Sequence, residues 1–167
     1  PTDKQTGEDE MKLSGGCRCG AVSFEVESRT PYPYMRCYCS ICRKTGGSGG
    51  YAVNLMGDAG SLEVSGAETK SVYNAVIDGK TSPAERHFCK ACGSHLWLWD
   101  PRWPELVHPH AGAVDSPLPT PPEIVHIMLA FKPDWIEVPS GPGHVHFQNY
   151  PDLSIEDWHK SKGLLET

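Results

Sequence analysis

Seven cysteines fall in three tight groups along 167 residues, and no other feature limits the possible folds of this chain as strongly. Cys17 and Cys19 form C-x-C; Cys37, Cys39 and Cys42 form C-x-C-x-x-C; Cys89 and Cys92 form C-x-x-C, followed by Gly93. An odd count cannot close entirely into disulfides, and clustered thiols in a reducing compartment more often serve a metal or catalysis. Zinc takes four ligands in a tetrahedron at about 2.3 Å from each sulfur, and a short C-x-x-C turn delivers two of them from one knuckle. Seven thiols then divide as four plus three. The outer pairs, Cys17/Cys19 and Cys89/Cys92, are natural halves of one closed, structural Zn2+ site. Cys37, Cys39 and Cys42 lie close enough in the chain to bind a second Zn2+ locally, leaving its fourth position for water or a substrate. A histidine completing the triple is the alternative, with His87, His95, His108, His110 and His126 all available. A thioredoxin-like dithiol at Cys89 and Cys92 is disfavoured, because no βαβ pattern surrounds the pair.

Composition excludes several other classes. With 15 basic and 21 acidic residues the net charge is -6, and there is no Lys/Arg block of the kind a nucleic acid backbone demands. The longest apolar stretches, such as residues 123–131, are too short for a membrane span, which needs about 20 residues. No membrane partner is expected, and the absence of a secretory apolar stretch at the start points to a cytoplasmic protein. The 17 glycines and 15 prolines favour turns and short elements over a helical bundle.

Alternation supplies the rest of the fold class. In residues 21–27, Val22, Phe24 and Val26 face one way and Ser23, Glu25 and Glu27 the other, the period of a half-buried strand. Similar signals at residues 51–55, 62–64, 71–77, 95–99 and 124–131 are separated by GGSGG, MGDAG and IDGK turns. The expectation is a mainly β domain over residues 13–151, preceded by a disordered charged tail (1–12) and followed by a C-terminal extension (152–167). That extension carries one helix-like stretch at residues 154–160, with Ser154 as its N-cap. The Pro-rich segment 115–122 is expected to be a loop. Trp97, Trp99 and Trp103 are read chiefly as packing residues, and His87 and His95 as groups flanking the C-x-x-C knuckle that can carry protons.

The motifs at residues 16–22 (GCRCGAV), 37–44 (CYCSICRK) and 86–94 (RHFCKACGS) resemble the glutathione-dependent formaldehyde-activating enzymes, grouped with centromere protein V. Weaker matches follow at residues 111–115 (AGAVD), His126-Ile127, Trp135 and 147–151 (FQNYP). The resemblance implies an Mss4-like fold of folded-over antiparallel sheets with zinc knuckles. It implies a structural zinc on Cys17, Cys19, Cys89 and Cys92, and a catalytic zinc on Cys37, Cys39 and Cys42. The activity it implies is carbon–sulfur lyase chemistry on adducts of a small-molecule thiol, glutathione in the founding members, with formaldehyde or another small aldehyde. Three thiolates on a divalent ion leave a charge of -1, a poor Lewis acid but a suitable holder of a thiolate, and Arg43 and Lys44 are placed to orient an anionic substrate group. The competing reading is a non-catalytic zinc module of the same fold that binds a protein. The oligomeric state is not legible in the residues.

Overall fold

The computed structural model describes residues 10–165, so the predicted tail lies outside the described residues except at its end. In chain order the strands are β1 (Met11–Gly16), β2 (Ser23–Ser28), β3 (Met35–Cys37), β4 (Ala52–Val53), β5 (Gly57–Asp58), β6 (Glu63–Ser65) and β7 (Lys70–Tyr73). They continue as β8 (Val76–Ile77), β9 (Lys80–Thr81), β10 (Glu85–Cys89), β11 (His95–Trp99), β12 (Leu106–Pro109), β13 (Ile124–Ile127) and β14 (His144–His146). Helix α1 (Ser40–Gly46) follows β3, and α2 (Ile155–Ser161) closes the described chain.

The fold is mainly β, as the alternation requires. Three sheets carry it, in strand orders β1-β2-β6, β5-β12-β11-β10-β7 and β14-β13-β3-β4, with β8 and β9 as a separate hairpin. The first two sheets are antiparallel throughout. In the third, β13 runs parallel to both β14 and β3. Nothing in a four-residue apolar run distinguishes a parallel from an antiparallel neighbour, so that pairing was not predictable.

In β2 the expected face is the buried one, with Phe24, Val26 and Ser28 inside. Phe24 meets Trp97 of β11 edge to face, with ring centroids 5.5 Å apart, an arrangement that aligns the positive edge of one ring with the negative face of the other. These rings belong to a first core with Leu13, Val22, Leu55, Leu96 and Val107, and Cys17 and Cys89 are members of it. A second core contains Tyr34, Ala52, Val125, Ile127 and Trp158 together with Cys37 and Cys42. Each cysteine group is thus rooted in its own apolar cluster.

The predicted C-terminal helix is present. Ser154 accepts a hydrogen bond from the Asp157 N–H at 3.1 Å, and Trp158 stacks on Tyr34 with centroids 3.7 Å apart. The run 124–131 divides instead of continuing as one strand: Met128 takes φ 59°, and a 3-10 turn over Leu129–Phe131 follows. Segment 111–115 is held against β1 by a bridge between Gly15 and Val114, and a Cβ on Gly15 would fall 2.0 Å from the Ala113 carbonyl oxygen. Only glycine allows that approach.

Several histidines are buried in these cores. His126 is fully buried, with Nδ1 2.9 Å from the Tyr38 hydroxyl and Nε2 3.0 Å from His144 Nδ1. Burial pushes its pKa down to about 4, and burial likewise lowers His108, His110 and His159. An unfolded chain binds these protons near pH 6.5 while the folded one resists them, so stability is full above about pH 6.5 and is lost as the pH falls towards 4. The melting temperature should therefore drop between pH 6.5 and 4. In His126→Gln the slope should be shallower by up to about 1.4 kcal/mol per pH unit, measured by calorimetry at matched metal content.

Candidate metal centres

Two knuckles build the first group of sulfurs. After β1, the Cys17 N–H donates to the Val22 carbonyl at 2.9 Å while the Val22 N–H points back to Cys17 Sγ at 3.2 Å. After β10, the Gly93 N–H closes on the Cys89 carbonyl at 2.7 Å, with Gly93 at φ 79°. The Arg18 N–H donates to Ser94 Oγ at 3.0 Å and ties the two knuckles together. Cys17 and Cys19 sulfurs lie 3.5 Å apart, Cys19 and Cys89 sulfurs 3.8 Å, and all four cysteines, including Cys92, lie within 4.8 Å of one another. A tetrahedron of sulfurs around a zinc ion has edges of about 3.8 Å, so this donor set fits a metal ion. The Ser94 hydroxyl beside Cys92 holds that thiol down to about 5.

A strand end and a helix start build the second group. Cys37 ends β3, Cys39 is the N-cap of α1, and Cys42 lies in its first turn. The Cys42 N–H donates to Cys39 Sγ at 3.3 Å, so the helix cap itself is a sulfur. N-cap and third helical residue share one face, which turns C-x-x-C into two converging thiols. The three sulfurs lie within 4.8 Å of one another, and no histidine joins the group among the described residues. Hydrogen bonding from Cys37 pulls the Cys39 thiol down to about 2, and the same contact raises Cys37, the signature of thiols competing for one negative charge.

Neighbours from distant strands complete this second group. Arg86 of β10 directs both terminal nitrogens at Cys42 Sγ, at 3.7 and 3.8 Å, and Asn54 Nδ2 lies 3.8 Å from the same sulfur. Arg86 forms no ion pair with a carboxylate among the described residues. Asn54 carried no signal in the sequence, since its role comes from a fold-dependent contact. Helix α1 was also missed, because GGSGG directly after it masks a seven-residue helix.

The histidines considered as metal ligands or proton carriers separate. His87 Nε2 pairs with Glu85 at 3.0 Å and its ring stacks on Trp97, so it belongs to the first core. His108 Nδ1 meets the Leu55 carbonyl at 3.0 Å. His95 and His110 face each other with centroids 5.2 Å apart. Of the tryptophans, Trp97 packs in the core as expected, while Trp103 is half exposed beneath Arg102.

A family model described as the glutathione-dependent formaldehyde-activating enzyme matches residues 12–130, which include all seven cysteines. The chain belongs to the glutathione-dependent formaldehyde-activating enzyme family. A relative from Halomonas elongata, provisionally named a glutathione-dependent formaldehyde-activating enzyme, is 62% identical over 156 residues, covering 93% of this chain and 99% of its own. A crystal structure of a Rhodobacter sphaeroides protein is similar at a TM-score of 0.50 with 28% identity, over 64% of this chain and 91% of that one. Membership in this enzyme family fits a fold with two cysteine groups, each able to hold a metal ion. No helix among the described residues is long and apolar enough to cross a membrane.

The four-sulfur group bridges turns that are 70 residues apart in sequence. Loss of a metal ion from this group should cost an amount comparable to the ~5–15 kcal/mol that stabilises a typical domain, since structural metal sites contribute binding energy of that order to folding. Cys89→Ser should therefore lose its cooperative thermal transition in scanning calorimetry, whereas Cys39→Ser should keep one.

Proposed function

We propose that this chain is a zinc-dependent carbon–sulfur lyase acting on adducts of a small thiol with formaldehyde or another small aldehyde. The observation that carries the reading is the unequal division of the thiols: four sulfurs gather in one group, and three gather in another with no fourth side-chain ligand among the described residues. In this reading Cys17, Cys19, Cys89 and Cys92 hold a structural zinc, and Cys37, Cys39 and Cys42 hold the catalytic one. A zinc ion on the three thiolates would supply one open coordination place that takes the substrate thiol as a thiolate at neutral pH.

The reaction adds R–SH across the C=O bond of the aldehyde. A carbon–sulfur bond forms, the carbonyl π pair takes up the thiol proton as a hydroxyl, and nothing is oxidised or reduced; the reverse step splits R–S–CH2–OH. Four thiolates around one divalent ion carry a charge of -2, which is costly in a partly buried site. Arg86 counters that charge, with both guanidinium nitrogens on Cys42 Sγ. Asn54 donates its amide to the same sulfur and holds the Cys42 rotamer. Tyr38, between two of the cysteines, is anchored through its hydroxyl to buried His126 and fixes the backbone on which Cys37 and Cys39 sit.

Metal analysis should find close to two zinc ions per chain, one of them removed first by a chelator. Exchange between formaldehyde and S-hydroxymethyl thiol, followed by two-dimensional NMR, should be accelerated by the protein and return to the uncatalysed rate in Cys39→Ser. Unchanged exchange in Cys39→Ser, with the fold intact, would leave the non-catalytic zinc module as the better reading. Arg86→Gln should raise the KM for the thiol about tenfold, the worth of one charge-assisted contact of about 1.4 kcal/mol.

A further inference from the structure

The second cysteine group stands at the end of a strand pair that nothing local aligns. β3 and β13 are parallel neighbours from distant parts of the chain, with Val125 opposite Met35, His126 opposite Arg36 and Ile127 opposite Cys37. A parallel pair has no tight turn to set its register, and a slip of one residue would turn every side chain to the other face of the sheet. Three residues in β3 and four in β13 make a short ladder for that task. Cys37 is the last residue of β3, so its sulfur meets those of Cys39 and Cys42 only while the register holds.

Helix α2 grips both strands at their entry ends. Trp158 stacks on Tyr34, just before β3, with ring centroids 3.7 Å apart and planes 1° from parallel. Its indole N–H donates to Glu123 Oε1 at 3.0 Å, just before β13, and Lys162 Nζ donates to Glu123 Oε2 at 2.9 Å. His159 is fully buried: its Nδ1–H donates to the Ile155 carbonyl at 2.7 Å, which leaves Nε2 to accept the Tyr32 N–H at 3.3 Å. One helix of seven residues therefore holds the segments leading into both strands, one through Tyr32 and Tyr34 and the other through Glu123.

That grip reaches one cysteine group only. Trp158 is a buried member of the core that contains Cys37 and Cys42, and Ile155 and Leu164 pack against the same core. No residue of α2 belongs to the first core, which contains Cys17 and Cys89. The helix also lies beyond residues 12–130, the part of the chain matched by the family model.

We propose that α2 is a clamp on the three-sulfur group, with Trp158, Glu123 and His159 as positioning residues that govern how tightly Cys37, Cys39 and Cys42 hold their metal ion. The clamp rests on the reading of these cysteines as the holders of a second zinc. Replacing a residue that orients metal ligands from outside the coordination sphere typically weakens metal binding by about 10- to 100-fold. The clamp acts in this way on one ion, while the four-sulfur group holds its own independently of α2.

The test is release of zinc from the fully loaded protein to a chromophoric chelator, followed over time. The wild type should give two phases, and the faster should be missing in Cys39→Ser. Trp158→Leu should accelerate that phase about tenfold and leave the slower one unchanged. With cobalt(II) in place of zinc, the same variant should alter the d–d absorption of the faster-leaving ion. Trp158→Phe, which keeps the stack on Tyr34, should restore most of the retention. Glu123→Met removes both acceptor oxygens and leaves the stack; it should show the same selectivity with a smaller factor, and it decides the matter if Trp158→Leu does not fold. Equal acceleration of both phases, no acceleration in the folded variants, an unchanged cobalt spectrum, or a single phase in the wild type overturns the proposal. If the faster phase responds as expected but no thiol–aldehyde exchange is catalysed, the clamp stands and the lyase reading fails. If exchange is catalysed and both phases respond alike, the lyase reading stands and the clamp falls.

Discussion

Thiols packed as closely as those of Cys17, Cys19 and Cys89, with sulfurs 3.5 to 3.8 Å apart, set the condition on which the rest of this fold depends. As thiolates they repel, and a cation held between them would convert that repulsion into a strong cross-link. Such a link would join the turn after β1 to the turn after β10, and so the first two sheets. Strands of two to six residues have little apolar area each, so a fold built from them needs such clips. With the knuckles tied together, Phe24 can meet Trp97 and the first core can close.

The second cysteine group rests on different support. Cys37 and Cys42 belong to a core that includes Trp158 of α2, well beyond the residues matched by the family model. Trp158 donates its indole N–H to Glu123, and the Tyr32 N–H reaches His159. The C-terminal segment therefore packs against the side of the molecule that carries the three sulfurs. The two groups also differ in neighbours. The four-sulfur group is lined by its own backbone N–H groups, while Cys42 receives N–H groups from Asn54 and Arg86, side chains of other strands. A self-contained donor set suits a structural ion, and one supported by distant side chains can be tuned for a ligand.

Much of the fold was legible where one local rule acts alone. Alternation placed β2 and its buried face, aromatic residues placed β11, and Ser154 marked the start of α2. Competing signals hid the others. Helix α1 is short and runs into glycines, β10 has a histidine and an arginine where its pattern would be apolar, and β13 ends at a left-handed Met128 that no turn residue announces. Contacts that no propensity rule anticipates override local preference in two of them: α1 is capped by the sulfur of Cys39, and Arg86 points at the sulfur of Cys42.

By itself the sequence determined the number and grouping of the sulfur donors, because spacings of two and three residues act within a single turn, where backbone geometry leaves few choices. It also determined the mainly β character, since a period of two can satisfy only a pleated surface. The spacing pointed to Cys17 and Cys19 meeting Cys89 and Cys92; tertiary structure alone decided that no histidine joins Cys37, Cys39 and Cys42 among the described residues, and that Arg86 lies on Cys42. These contacts join residues tens of positions apart, and which of them form depends on how whole sheets pack, which no local pattern encodes.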